Sequence, residues 1–589
     1  MNIVITAEGI ISAIGNSEAE VLASLRQKRS GIGEMKYLRS AHRELPVGEV
    51  KMSNADMKLS LGISENEEIS RTSLMGMLAI RQLYASLPKA ETGGRGEERI
   101  ILVSGTTVGT MDITENHYGK MMEEDDHSYF LYHGCGGSTQ RMADYFGVFT
   151  DFATVSTACS SAANAIVFGA NLIKAGMADM VVAGGSEALS RFHLNGFNSL
   201  MILDHERCRP FDATRAGLNL GEGAAYVVLE SEEHARKRGA EIHCWLSGYG
   251  NACDAFHQTA SSDDGEGAYL AMREALQMAH LNPEDIQYVN AHGTGTPNND
   301  LSESAALKRI YGERMPMVSS TKSFTGHTTS ASGSIEAVIC LLAMRHAFVP
   351  ANLGWQHVIE GGITPTLGED HAVLHNVVCN SFGFGGNDTS LVFSDSPKPA
   401  SADVTYDASM PIRELARVEI TSEEELSEIR NYVKPLQARR MGRIMKASLI
   451  TSLKALEQAG ISVPDAVITG TAYGCMDNTE KMLRQIDDEG EETVSPTLFM
   501  QSTHNTIGSN IAIRLKCHGY NSTYSQRSAS LMWAMKDAEV LLRSGKCKTV
   551  LVGCHDEATP ALNAVLGMIG KEPMKYPVHS VAVVLSCGE

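Results

Sequence analysis

The sequence predicts a layered α/β fold in two related units, on three observations. Apolar runs rich in Val and Ile alternate with longer segments of helical periodicity, as buried strands and their covering helices do. Segments from the first part of the chain return in its last third. The 589 residues are 43% hydrophobic and 20% charged, a globular composition with room for about three or four folding units, which excludes disorder, collagen-like repeats and coiled coil.

The strands come first. Segments 99–103 (RIILV) and 180–183 (MVVA) are β-branched runs that end in Ser or Gly, where sheet-edge sites form. The repeat follows from them: 101–112 (ILVSGTTVGTMD) returns as 466–477 (AVITGTAYGCMD), and 173–184 (IKAGMADMVVAG) as 542–553 (LRSGKCKTVLVG), at offsets of 365 and 369. The last strand of the copy, 580–586 (SVAVVLS), corresponds to 223–229 (GAAYVVL), so the tail repeats the front half of the first unit and stops. Between the copies, 394–403 is polar, contains proline and lacks pattern, which marks a linker. It is too short to let the units roam, and they are expected to pack together.

Charge and cysteine usage exclude several functions. Against 50 basic residues stand 70 acidic ones, a net charge of -20 that repels a phosphate backbone, so no nucleic acid partner is expected. The start lacks a basic segment followed by a long apolar run, and no stretch approaches the roughly 18 apolar residues of a membrane span. A cytoplasmic location is expected. The 12 cysteines lack CxxC pairs or metal-finger spacing, which points to reduced thiols.

One cysteine stands apart. Segment 155–162 (VSTACSSA) leads from a β-prone run into the apolar helix expected from Asn164, placing Cys159 at a strand-to-helix turn. There the helix dipole favours thiolate and nearby N–H groups can hold an oxyanion. Two histidines sit in glycine-rich settings that let backbone approach a crowded site: His292 in 290–300 (NAHGTGTPNND) and His327 in 322–327 (KSFTGH). Segment 380–389 (NSFGFGGNDT) is a glycine-rich turn able to present an N–H and a mobile aromatic ring.

With 209–215 (RPFDATR) and 220–224 (LGEGA), these segments resemble the elongating β-ketoacyl-ACP synthases over residues 1 to about 396. The resemblance implies the thiolase fold, a five-layer αβαβα sandwich, here followed by an additional half-thiolase α/β domain. It divides the chain into synthase halves 1–240 and 241–396, a linker 397–408, and a tail 409–589. It implies decarboxylative Claisen condensation of malonyl-ACP onto an acyl thioester on Cys159, in fatty acid or polyene/polyketide synthesis, aryl polyenes included. His292 and His327 would stabilise the enolate, with Thr294 and Thr296 in support. N–H groups of Cys159 and Phe384 would form the oxyanion hole under a Phe384 gate. Lys322 and Glu336 match a charged pair that either orients the site or is simply structural. No cofactor or metal is implied, since acyl groups arrive on the phosphopantetheinyl arm of acyl carrier protein, the expected partner. The family normally dimerises, so a homodimer, or a pseudo-dimer with the chain's own tail, is expected. Asn387-Asp388 in place of the commoner Thr-Asn, and Ser160-Ser161 after the nucleophile, bear on substrate class rather than on the chemistry.

In the tail, 525–530 (SQRSAS) covers 156–161 (STACSS) and puts Ser528 at the nucleophile position, without an equivalent of His292 or His327. His504, His518 and His555 lie outside any His-Gly-Thr or Gly-His setting. The tail resembles the chain length factors that pair with ketosynthases; a merely stabilising domain is the alternative. Segment 438–446 (ARRMGRIMK) is a basic cluster, read as one solvated helix face or as a docking site for an acidic carrier protein. His127 beside the acidic run 123–126 forms one contiguous stretch without a second ligand group and is not read as a metal site. A malonyl-ACP decarboxylase and a non-catalytic carrier-binding scaffold are the competing functions.

Overall fold

The computed structural model describes all residues except 89–97, 122, 124–126, 400–405 and 589. Most of the acidic run beside His127 and the middle of the linker therefore lie outside the described residues. In the first half of the leading unit, β1 (Ile3–Ser12), β2 (Ile100–Gly105), β3 (Asp151–Val155), β4 (Met180–Glu187) and β5 (Gly223–Ser231) lie side by side in the order β3-β2-β4-β5-β1. Its second half contributes β6 (Cys244–Cys253), β7 (Tyr288–Asn290), β8 (Met317–Ser319), a separate short pair β9 (Phe348–Val349) and β10 (Glu369–Asp370), then β11 (Asn376–Gly383) and β12 (Asn387–Ser394), in the order β6-β12-β11-β7-β8. A three-residue antiparallel ladder from Ile3–Ile5 of β1 to β6 joins the two half-sheets.

Between them lie helices Ser161–Lys174 and Ser332–Arg345, buried along nearly their whole length. A helix apolar all round must be covered on every side. Helix Arg71–Leu83 covers the outer face of β1 and β5, and Glu266–Ala279 that of β6 and β12. These are the five layers the sequence led us to expect.

The tail repeats the front half strand for strand. Its β13 (Ile412–Ile420), β14 (Ala466–Gly470), β15 (Tyr520–Tyr524), β16 (Thr549–Glu557) and β17 (Val578–Cys587) follow the order β13-β17-β16-β14-β15. Even the register shift of β1 against β5, between Ile5 and Ala7, recurs in β13 against β17, between Glu414 and Ala416. Helices Arg443–Ala459 and Ser530–Arg543 cover its two faces.

The units meet at β3 and β15, which are copies of each other and run antiparallel, so the strand order is mirrored about the seam. Ser156 N donates to Thr523 O at 2.8 Å and Ser525 N to Thr154 O at 3.0 Å. Phe168 stands edge-on to Tyr524 and Trp533, centroids 5.1 and 5.9 Å apart, and one apolar core runs through both units. Burying side chains of this size contributes about 1.5–3 kcal/mol each, which explains why the units are packed rather than tethered.

The basic cluster departs from the expected single helix. Helix Pro435–Arg440 ends at Met441, and Gly442 caps the start of Arg443–Ala459 in extended conformation. Glycine is a poor helix interior residue, and it breaks the segment here. Among the described residues no helix is long and apolar enough to cross a membrane.

Candidate active site

Strand β3 delivers Cys159 through a tight turn in which Ala158 takes a φ of 51°. Small residues tolerate that conformation best, and the hydroxyls after Cys159 stitch the turn. Thr157 N donates to Ser161 Oγ at 2.9 Å, Ser161 Oγ to Ala158 O at 2.6 Å, and Ser160 Oγ to Thr157 O at 2.9 Å. The Ser160-Ser161 pair thus holds the turn's shape.

His327 follows the short helix Lys322–Thr325 through Gly326, whose φ of 73° favours glycine. Its Nε2 lies 3.1 Å from Cys159 Sγ and its Nδ1 3.0 Å from Ser332 Oγ. His292, just beyond β7, stands edge-on to His327 with centroids 5.3 Å apart. The sulfur and one nitrogen of each ring lie within 4.8 Å of one another. Exposure is 4% for Cys159 and 2% for each histidine.

The site is electrostatically poised. Burial pushes the Cys159 thiol up to about 11, against the opposing pull of Lys322 and of the N–H groups of Phe384 and Cys159. The helix dipole alone does not produce a resting thiolate, because desolvation outweighs it. Burial, then Lys322, holds both histidines well below the usual imidazole range and therefore neutral. Lys322 Nζ meets Glu336 Oε1 at 2.5 Å, both almost fully buried; burial raises the Glu336 carboxyl to about 7 against the nearby ammonium.

Phe384 sits in the β11–β12 hairpin turn, where Gly385 and Gly386 have φ of 84° and 79°. Its ring stacks on Phe197 at 5.8 Å, and Phe197 packs at 5.2 Å on Phe499 from the tail. A Cβ on Gly196 would fall 2.1 Å from the Phe499 ring, so glycine is required for this close approach. On the Cys159 side of these rings is a cavity of about 390 Å³ lined by His292, His327, Thr294, Thr296 and Phe384. Thr294 and Thr296 hydroxyls pair at 2.9 Å. Phe499 also lines a second, inner chamber with walls from both units, including Met111, Phe130 and His133 from the first and Tyr473, Met476 and Leu483 from the tail.

Several contributors were not found from the sequence. Glu303, buried on helix Pro297–Tyr311, accepts from His292 N at 2.8 Å and Gly293 N at 2.7 Å. Its place three residues after Asp300, on the helix opened by the His292 motif, was the available signal. Asn505 of the tail donates to Phe384 O and to Asn387 Oδ1, both at 2.8 Å. Asn387 also donates to Asn521 Oδ1 at 3.0 Å, so this departure from the commoner Thr is a contact with the tail.

Among the described residues Ser528 has no hydrogen bond to an imidazole. His504 lines the inner chamber, His518 Nδ1 lies 3.0 Å from Cys253 O across the seam, and His555 Nδ1 lies 2.7 Å from Ser580 Oγ. His127 Nε2 lies 2.8 Å from Met121 O.

Comparison with known proteins bears on the whole chain. The family described as Beta-ketoacyl synthase, N-terminal domain, matches residues 1–235, its C-terminal domain 243–356, and a second N-terminal-domain family 414–589. A 3-oxoacyl-[acyl-carrier-protein] synthase 2 from Vibrio cholerae serotype O1 is 31% identical over 411 residues, covering 66% of this chain and 98% of the relative. The ketosynthase ApeO, solved with its chain length factor ApeC from Xenorhabdus doucetiae, is 31% identical, with a TM-score of 0.58 over 67% of this chain and 98% of that one. The PfaC ketosynthase–chain length factor shares only 15% identity and so speaks to fold alone. Its TM-score is 0.82, over 100% of this chain and 78% of that one. With its thiolase-fold unit and the half-unit that repeats it, the chain belongs to the β-ketoacyl synthase family.

Proposed function

We propose that the chain is a β-ketoacyl-ACP synthase that condenses malonyl-ACP with a Cys159-bound acyl group, in fatty acid or polyene/polyketide synthesis, working in the cytoplasm. The synthase proper spans 1–240 and 241–396, and the tail 409–589 follows the linker 397–408. The observation that carries this reading is the convergence of Cys159 Sγ, His327 Nε2 and the His292 ring beneath the Phe384 turn.

The thiol attacks the thioester carbonyl of an acyl carrier protein while its proton passes to His327 Nε2. N–H groups of Cys159 and Phe384 hold the oxyanion, and collapse expels the carrier thiol, which takes the proton. Malonyl-ACP then enters. As carbon dioxide leaves, negative charge gathers on the thioester oxygen, where two neutral imidazoles can donate hydrogen bonds, His327 as the tautomer with its proton on Nε2. The enolate carbon attacks the Cys159 thioester, forming the new C–C bond and breaking the C–S bond, and the released Cys159 thiolate takes up a proton from water. Lys322, held in place by Glu336, adds to the burial that keeps both imidazoles neutral.

The tail acts as a chain-length-factor-like partner. Its Tyr473, Met476 and Leu483 close the inner chamber, where the acyl chain lies once Phe384 and Phe197 part. The test is product analysis with acyl-ACP and malonyl-ACP. Wild type forms β-ketoacyl-ACP and Cys159→Ala does not. Acetyl-ACP alone from both proteins would indicate a decarboxylase instead.

A further inference from the structure

The tail keeps the shape of a nucleophile turn without its chemistry. Thr157 and Gln526, which correspond, have φ, ψ of -120°, 44° and -118°, 46°. Ala158 and Arg527 both have φ of 51°. Gln526 N donates to Ser530 Oγ at 2.8 Å, as Thr157 N does to Ser161. At Cys159 this strain aims a thiol. At Ser528 it aims a hydroxyl that meets no imidazole among the described residues, and a left-handed Arg needs another reason to persist.

The turn's side chains reach across the seam. Arg527 Nη2 donates to Leu131 O at 2.5 Å and to His133 O at 3.2 Å, and its Nη1 to Gln140 Oε1 at 3.3 Å. Gln526 accepts from Thr154 Oγ1 at 2.6 Å and donates to Gly136 O at 3.2 Å. Contact is close enough to require glycine at Gly136, where a Cβ would fall 2.7 Å from Ser525 O and 2.9 Å from Gln526 Cα. The segment so gripped is a wall of the inner chamber, which Phe130, His133 and Cys135 line.

We infer that Arg527, seconded by Gln526, is a positioning residue for acyl-length selectivity: the tail's vestigial nucleophile turn fixes the 130–137 wall from behind. Arg527 does not line the chamber itself, so it acts through Phe130 and His133. A planar fork presents its donors to two carbonyls and an amide oxygen in one fixed geometry, which a compact ammonium on a flexible stem does not. The inference rests on the reading that the inner chamber holds the acyl chain.

The test uses the full chain, with thioester formation on Cys159 followed by intact mass for short, medium and long acyl-ACPs. Ser528→Ala is expected to reproduce the wild-type length profile. Arg527→Ala is expected to load the shortest primer within roughly twofold of wild type, while its preference among longer primers falls by roughly fivefold or more. Arg527→Lys should lie between. If Arg527→Ala fails to fold, Arg527→Lys and Gln140→Ala carry the same comparison. An unchanged profile, or loss by one factor at every length, would overturn this inference alone. No loading by wild type would overturn the synthase reading and this inference with it.

Discussion

Asn505, from the tail, donates a hydrogen bond of 2.8 Å to the carbonyl oxygen of Phe384, whose N–H faces the Cys159 sulfur. One amide of the repeated unit thus holds one side of the peptide turn over Cys159. Asn505→Ala removes both this bond and the one to Asn387 Oδ1; the half-buried Phe384 carbonyl loses this donor while Asn387 Oδ1 keeps the Ser509 hydroxyl at 3.3 Å, a cost of about 1–3 kcal/mol in all. The expected result is a lower melting temperature and acyl loading slowed by roughly tenfold, measured by stopped-time intact mass.

Glu303 clamps the backbone on both sides of the His292 Cα through N–H bonds of 2.8 and 2.7 Å. Glu303→Gln leaves one acceptor where two stood and turns a donor toward an N–H. Loosening of His292 should slow decarboxylation and condensation by roughly ten- to a hundredfold while acylation of Cys159 changes by less than about threefold, because His327 is the group beside the sulfur. Single-turnover assays separate the two steps.

The thiol of Cys159, raised by burial to about 11, is protonated at neutral pH. Iodoacetamide reacts with thiolate, so at low iodoacetamide the rate should be slow near pH 7 and climb about tenfold per pH unit through pH 9. The sign follows from the direction of the shift: raising the pH toward the thiol's own value increases the thiolate fraction. A plateau below pH 8 would contradict the desolvated thiol.

Arg439 and Arg440 are exposed at the end of helix Pro435–Arg440. Gln501 Nε2 reaches Arg440 O at 3.0 Å, and the neighbouring Met500 Sδ lies 3.9 Å from Thr259 Oγ1, on the rim of the Cys159 cavity. An acidic carrier protein delivering a thioester there would meet both charges. Arg439→Glu with Arg440→Glu should raise KM for acyl-ACP several-fold, by about 1 kcal/mol, with kcat unchanged, and the difference should shrink in high salt.

Much of this was legible in the sequence because it is carried by local pattern. The runs at 99–103 and 180–183 are β-branched and bounded, and they became β2 and β4. The repeat of 101–112 at 466–477 dictates that β14 copies β2, and the mirrored sheet follows. Cys159, His292 and His327 could be picked out by their small and glycine neighbours, which the close contacts of the site require. What escaped was of another kind. The bonds of Asn505 and Arg527 to the first unit depend on how two units dock, and no periodicity reports that. The balance between dipole and desolvation at Cys159 depends on burial, which a turn motif does not specify. Gly442 was visible in the basic cluster, yet its breaking of the helix depends on the capping geometry around it.

The most direct measurement is the intact mass of the purified chain after incubation with acyl-ACP, with the adduct mapped by peptide digestion and Cys159→Ala run beside it. The account predicts one acyl adduct per chain on Cys159, labile to hydroxylamine as a thioester is, and none in the variant. An adduct that survives Cys159→Ala, or none in wild type with any acyl-ACP, would contradict it.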